Sequence, residues 1–592
     1  MKTGPSSPSS TLTARDTHAL DARMSEIIGM EKTERGALDA IASALTPLTM
    51  LIQGVRFGVG NHDPLIAGMR RLWDPNYLVN DWRLSIPPPH PQVCALLAPV
   101  MHAFGEPFLF FMLQFMTRIL LLMGVWRLVE ALAPRAKFAA AALMAIVVFE
   151  PRLHVGDHYL HSGTWEPAHL GMAAAVWTLA LGVRLIERRG ALLPFALAAG
   201  IGIFAHMFIV GPVFAVLWIA ILCVRRDWLL SAKTLALALM LGAPSWIPAA
   251  RGFFGDTGPL TSQQVIQLLQ FRHPHHHQPW TWPHADVAQA AVILVATCVA
   301  WWRLLAGRRE VRFAGAMLIG YFVFSCAAFW IFGSMQRVAL IAYMQPFRLF
   351  SLVLLSAMAA VVVVLRQRTS ARGYILYGVA AIAVGIAFRF GAVWLPAILS
   401  IAAAIAARPL PADATERLPR MWPVVAEVIS AAGFALMMLQ FEGPFDNPSI
   451  PEKKEFWTEE YWITNLLSND ADRAGLMHFI RKNTGRDDLF SVPPNMTNFR
   501  IWEKRAVIVD SKNVPYDNAG WAAWAERYED ATGVDPYAKF TSIPAGDPPL
   551  ETLISAAKKY GARYVVSGNS PAVEDARIVY SNAKYVLLDL GN

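Results

Sequence analysis

Charge and cysteine are what this chain has little of. Charged residues make up 16% of the 592, against about a quarter in soluble proteins, so much of the chain has no business facing water. The four cysteines, Cys94, Cys223, Cys298 and Cys326, lie in or beside apolar segments with neither paired spacing nor a partner motif. That argues against a disulfide framework or a thiolate metal site and leaves them as packing thiols. The first thirty-five residues are polar and then mixed in charge, without the short apolar core and small-residue cleavage site of a signal peptide, so the first apolar segment is expected to stay as an anchor. No glycine-rich phosphate loop follows any of the strands read below, which leaves nucleotide binding without support.

Apolar sequence is abundant. Hydrophobic residues are 55% of the chain and mean hydropathy is +0.37. Stretches long enough to span or nearly span a bilayer, at about 17 to 25 residues each, fall at 37–56, 106–130, 136–149, 168–187, 191–206, 207–224, 232–250, 285–305, 313–333, 347–365, 373–389, 391–407 and 421–440. These give about thirteen transmembrane helices. A net charge of +8 and a pI near 9.3 raise the question of nucleic acid, but the excess Lys and Arg sit in short loops, as positive-inside bias requires, and no nucleic-acid partner is expected. Counted from a cytoplasmic N-terminus, the loops with Arg135 and Lys137, Arg188 and Arg189, Arg225 and Arg226, Arg308 to Arg312, and Arg366 to Arg372 all fall inside. Residues 1–36 are then a cytoplasmic segment and 37–440 a transmembrane domain with outer loops at 57–105, 150–167, 251–284 and 334–346. Residues 441–592 form an extracytoplasmic domain. Helices at 472–482 and 550–560 and strands at 488–492, 506–510, 563–567 and within 578–589 make that last domain α/β.

The outer loops carry the candidate chemistry. Gly60 to Pro91 holds three carboxylates, two histidines and a run of prolines, too many helix breakers for a span. In it Asp63 and Asp81 are candidates for a general base or a cation ligand, the competing reading being a turn cap. The second loop places Asp157, His158, His161 and Glu166 within ten residues, a plausible hard-cation or mixed site, or an interfacial loop at headgroup level. The third loop contains Arg272, His273, His275, His276 and His277. An arginine among imidazoles suits a phosphate; a transition metal is the other use, although consecutive histidines point in different directions. Arg348 starts a span at its outer end, where it either binds an anionic headgroup or snorkels.

With these residues set out, the chain resembles the GT-C superfamily of polytopic membrane glycosyltransferases, and within it a bacterial branch. The stretches that carry the resemblance are Gly60 to Pro64, Asp74 to Trp82, Arg272 to His276, Gln345 to Arg348, Val492 to Pro494, Arg505 to Lys512 and Tyr560 to Val566. The resemblance implies a sugar donor linked to a polyprenyl phosphate and an unknown acceptor. It also implies an acidic residue of the first outer loop acting as base or metal ligand, and inversion at the anomeric carbon. That acidic role falls on Asp63 or Asp81, the phosphate on Arg272, His273, His275, His276 and Arg348, and a divalent cation, Mg or Mn, on Asp157 and His158. The chain departs from the family in having no adjacent acidic pair and no Asp-x-Asp in the second loop. The implied setting is a bacterial inner membrane, with the C-terminal domain in the periplasm. The rival readings are a transporter or flippase of envelope precursors, which would show repeats with broken helices, and a non-catalytic assembly protein.

Overall fold

The computed structural model describes residues 35–410 and 470–591 apart from short internal stretches at 135, 150–154, 156–159, 256–257, 334, 336–337, 369–373, 391–393, 539–541, 545 and 569–575; of 411–469 it describes Val428 alone. Among the described residues, eight helical stretches are long and apolar enough to cross a membrane: Arg35–Gln53, Glu106–Leu132, Pro167–Ile186, Leu192–Arg225, Trp228–Arg251, His284–Leu304, Arg309–Gly333 and Ala339–Arg368. The expected span at 421–440 lies outside the described residues. The segments expected at 136–149 and 391–407 form the helices Lys137–Val148 and Leu395–Ala406, of twelve residues each. At 1.5 Å per residue such a helix reaches about 18 Å, short of a hydrocarbon core about 30 Å thick. Many large apolar side chains point outward from these helices, Phe324, Leu376, Phe390 and Ile405 among them, and a face of that kind belongs against lipid.

Two of the long stretches are broken. Within Leu192–Arg225 the backbone leaves helical geometry at His206, with φ −156° and ψ 89°. A Cβ on Gly202 would lie 2.7 Å from Val210 Cγ2 and 2.8 Å from Ala174 Cβ. Residues eight apart in a straight helix are separated by about 12 Å, so the chain turns back on itself at His206, where the sequence divides the stretch into two. The second break is in Ala339–Arg368: Gln345 has φ +42°, and a 3₁₀ turn at Pro346–Leu349 separates the helices Ala339–Met344 and Phe350–Arg368. Proline without an N–H and a left-handed residue before it account for the interruption.

The C-terminal domain carries a five-stranded sheet. Its strands are β1 (Leu489–Ser491), β2 (Ala506–Val507), β3 (Tyr564–Gly568), β4 (Arg577–Ser581) and β5 (Tyr585–Asp589), in the order β2-β1-β3-β5-β4. β1 pairs in parallel with β2 and β3, and β5 runs antiparallel to β3 and β4. The Leu550–Tyr560 helix ends at Gly561, whose φ of +74° forms the left-handed cap, and leads straight into β3. A further helix, Asn518–Thr532, starts at Asp517, which caps Gly520 N. Its buried Trp521, Trp524 and Tyr528 share one apolar cluster with Val265, Ile266, Leu269 and Phe271 of the Ser262–Arg272 helix and with Val565 and Leu588 of the sheet. Phe271 meets Tyr528 edge-on with ring centroids 5.3 Å apart. The domain and the third outer loop therefore have a core in common.

The reversal at His206 yields a direct test. Gly202→Ala inserts a methyl where Val210 and Ala174 already sit and is expected to destabilise by about 1 to 3 kcal/mol, read as a lower unfolding temperature in detergent. Gly211→Ala meets open space and should not lower it; equal melting of the two variants would contradict the close approach.

Candidate functional site

The surroundings of Asp81 are complete. Its Oδ1 caps the 3₁₀ turn Trp82–Ser85 by accepting from Arg83 N at 3.0 Å and Leu84 N at 3.4 Å. Its Oδ2 accepts from Arg500 Nε at 2.7 Å and from Val507 N at 3.1 Å. The Arg500 guanidinium turns its Nη1 to Asp510 Oδ2, and Asp510 Oδ1 takes the N–H groups of Lys512 and Asn513 at 2.6 Å each. Asn513 Nδ2 in turn donates to Asp63 Oδ2 at 2.5 Å. Asp63 belongs to the first turn of the His62–Trp73 helix, and its Oδ1 has no hydrogen bond of good geometry among the described residues, with the Asn498 N–H nearby. The segment 57–105 and the C-terminal domain are thus joined through buried charge.

The electrostatics follow from that burial. Loss of water, and then the neighbouring Asp510 carboxylate, push Asp63 up to about 8, against the pull of Arg500. Burial opposes ionisation of Asp510 too, but Arg500 and the Asn513 N–H hold its carboxyl below the usual range. Arg500 is held protonated against its own burial by Asp81 and Asp510. Arg83 lies close enough to feel Arg500, Asp81 and Asp510 and donates to the carbonyls of Ile86 and Pro87. With Asp63 protonated, two carboxylates face two guanidiniums and the cluster is neutral, the condition under which buried charge is tolerable.

A second group gathers where the two broken helices meet. Arg348 Nη1 lies 2.8 Å from His206 Nε2. Arginine has no acceptor, so His206 accepts on Nε2 and carries its proton on Nδ1. Gln345 Nε2 sits 2.7 Å from His277 Nε2, which by the same reasoning leaves the His277 proton on Nδ1; burial lowers His277 to about 3 and keeps it neutral. Arg348 Nε, His206 Nδ1 and His277 Nδ1 are all buried without a hydrogen bond of good geometry among the described residues, as is the acceptor Gln345 Oε1, and the His206 backbone lies near its own ring. The His90 ring is 5.2 Å from that of His206, and Glu166 and Tyr516 lie within electrostatic reach of Arg348. Three N–H donors left open in one region are suited to an anionic oxygen ligand.

The remaining expected residues divide. Arg272 is turned to the C-terminal domain, donating from Nε to Ser511 O at 3.3 Å and from Nη2 to Lys512 O at 2.6 Å. His273, His275 and His276 cluster together beside it. Asp157 and His158 lie outside the described residues. The carboxylates Asp63, Asp81 and Asp510 do not form a cage for Mg²⁺ or Mn²⁺, because Arg500 and backbone N–H groups already take the oxygens such an ion would need. Arg500, Asn513 and His206 were not singled out by sequence, and His277 was read only as part of the histidine run. For His206 a signal exists: it is the one histidine in an apolar run of more than thirty residues that has no Asp, Glu, Lys or Arg before Arg225, and an ionisable group in such a run marks function by default.

Residues 471–531 match a family described as a domain of unknown function, DUF6798. The matched stretch includes Arg500, Asp510 and Asn513, the groups that engage the first outer loop. No curated protein matches the chain.

Arg500→Leu strands two buried carboxylates and is expected to cost about 3 to 5 kcal/mol, with loss of domain docking seen as faster proteolysis between the membrane helices and the sheet. Asp63 generates a pH dependence with a definite sign. Its folded pKa lies above the unfolded one, so its contribution is fully present below about pH 4 and is lost as pH rises to about 8. Asp63→Asn should flatten that part of the unfolding-temperature profile; an unchanged slope from pH 4 to pH 8 would refute the assignment.

Proposed function

We propose that this chain is a GT-C-type inverting glycosyltransferase of a bacterial inner membrane, moving a sugar from a polyprenyl-phosphate carrier to an acceptor on the periplasmic side. The observation that carries the reading is the set of unpartnered donors on Arg348, His206 and His277, at the breaks of two apolar helices and beneath the C-terminal domain. In the reaction an acceptor hydroxyl attacks the anomeric carbon. The bond from that carbon to the phosphate oxygen breaks, and the carrier phosphate leaves with the electron pair. Fixed N–H donors stabilise charge as it grows on the departing oxygen, most strongly where water is excluded. Asp63, once it has released the proton it carries in the neutral cluster, takes the hydroxyl proton. A carboxyl raised to about 8 is well matched to general-base work near neutral pH, and Asn513 must give way for the acceptor to reach it. Asp81 holds Arg500 and positions the domain. The broken helices are equally what a transporter would have, but no paired repeat is evident in the sequence.

One observation favours a non-catalytic reading: Asp63 and Asp81 both contact the C-terminal domain, as structural residues of an envelope assembly protein would. The two readings part on variants expressed at matched membrane abundance in a deletion host, with lipid-linked sugars and surface glycans profiled by mass spectrometry. A transferase loses a glycan and accumulates its carrier-linked sugar on deletion. Asp63→Asn and Arg348→Ala then lower product by about 100-fold or more, although the asparagine is isosteric. Full rescue by Asp63→Asn and Arg348→Ala, with failure of Arg500→Leu alone, would establish docking as the role.

A further inference from the structure

Consecutive histidines in an extended or long helical segment diverge, yet here three of them meet. His273 is the residue before a four-residue helix, Pro274–His277, that proline initiates. Its φ of −132° and ψ of 66° swing its ring toward those of the first turn. The centroids of His275 and His276 are 4.0 Å apart, and both lie about equally far from His273, at 5.5 and 5.4 Å. One ring nitrogen from each of the three falls within 4.8 Å of the others.

The backbone that presents them is fixed from several sides. Trp282 Nε1 donates to His275 O at 2.8 Å, and Gln278 Nε2 to Gln270 O at 3.2 Å. The N–H groups of His276 and His277 return to His273 O at 2.9 and 3.0 Å. Arg272 is tied to the carbonyls of Ser511 and Lys512, so its N–H groups are taken up there, although its charge still reaches His273. A metal bound by three imidazoles at about 2.0 to 2.1 Å brings their nitrogens to roughly 3.3 Å of one another, so the present spacing of up to 4.8 Å has to contract on binding. His275 is exposed and the other two are half-buried, which leaves the approach open from water.

We propose that His273, His275 and His276 form a binding site for a divalent transition metal of the zinc type, with three imidazole ligands and one coordination position open. All-nitrogen ligands select Zn²⁺, Co²⁺, Ni²⁺ or Cu²⁺ over Mg²⁺ or Mn²⁺, which prefer oxygen. The site stands apart from sugar transfer and does not depend on it. Its structural effect is to lock the segment between Arg272, which reaches the C-terminal domain, and His277, which meets Gln345.

The test uses the full chain, carrying no histidine tag, in detergent after chelator treatment. Zn²⁺ is titrated by calorimetry, and Co²⁺ by its visible absorption. The wild type is expected to take up about one equivalent per chain and to melt at a higher temperature with Zn²⁺. His275→Ala/His276→Ala should weaken binding by at least about tenfold and abolish the thermal shift. His478→Ala, on the exposed face of the Ala471–Asn483 helix, should behave as wild type. Because His275 projects into water, the double variant is expected to melt like the metal-free wild type, which checks its fold. The proposal is overturned if wild type shows no stoichiometric uptake, or if the double variant retains the same affinity and the same shift.

Discussion

A single guanidinium holds the two halves of the molecule in register. Arg500 reaches Asp81 across 419 residues of sequence, and it does so in a place that water does not enter. A charge so placed cannot remain without a counterion, and two carboxylates brought up to it cannot remain without the guanidinium, so neither half satisfies its own groups when separated. Apolar packing alone is tolerant of sliding and rotation. A forked donor facing one carboxylate through Nε and another through Nη1 is not, because the hydrogen-bond directions are set by the plane of the guanidinium. The contacts around it agree: Tyr77 Oη donates to Arg500 O at 2.6 Å, Trp82 Nε1 donates to Ile508 O, and Trp502 Nε1 donates to Gly58 O at 3.0 Å. The proline-rich stretch between the helices His62–Trp73 and Pro91–Phe104 is thereby given a fixed shape.

The helix breaks are the second constraint, and they depend on the first. Non-helical backbone at the head of an apolar bundle is tolerated only where protein surrounds it. The breaks at His206 and Gln345 are covered by the segments 57–105 and 251–284, through His90 and His277 respectively, and the second of these is itself clamped to the C-terminal domain by Arg272 and by the shared aromatic cluster. Docking of the domain therefore supports the geometry of Arg348 from a distance, through packed elements and not through direct contact with its guanidinium.

How much of this is legible in the sequence depends on the range of the interaction concerned. The long apolar runs, the division at residue 206, the Leu550–Tyr560 helix and the strand after it are written locally, in periodicity and in a glycine cap, and they stand in the structure where the pattern places them. The Asn518–Thr532 helix has a weaker signature, because its buried face is built from Trp521, Trp524 and Tyr528 and it contains Gly520, residues of middling or poor helix propensity. Asp81 exposes the limit most clearly. Its residue type and loop position suit a base as well as an anchor, and only the arrival of Arg500 from the far end of the chain distinguishes them. Asp63 and Asp81 look alike in sequence because the sequence does not say which carboxylate gets the guanidinium.

The two polar groups differ in a way that bears on chemistry. Around Arg500 the guanidinium, Asp81 and Asp510 have protein partners, while Asp63 Oδ1 at the edge of the cluster has none of good geometry among the described residues. Near Arg348, His206 accepts from Arg348 and His277 from Gln345, each on Nε2, and each leaves its Nδ1 without a hydrogen bond of good geometry among the described residues. Leaving a buried N–H without a partner costs about 1 to 3 kcal/mol, and a sequence selected for stability alone would have filled those positions with apolar side chains, as the helices around them are filled. Three such donors where two helices break are positions that another oxygen can complete. In the reading proposed above, that oxygen belongs to the carrier phosphate, which supplies several at once.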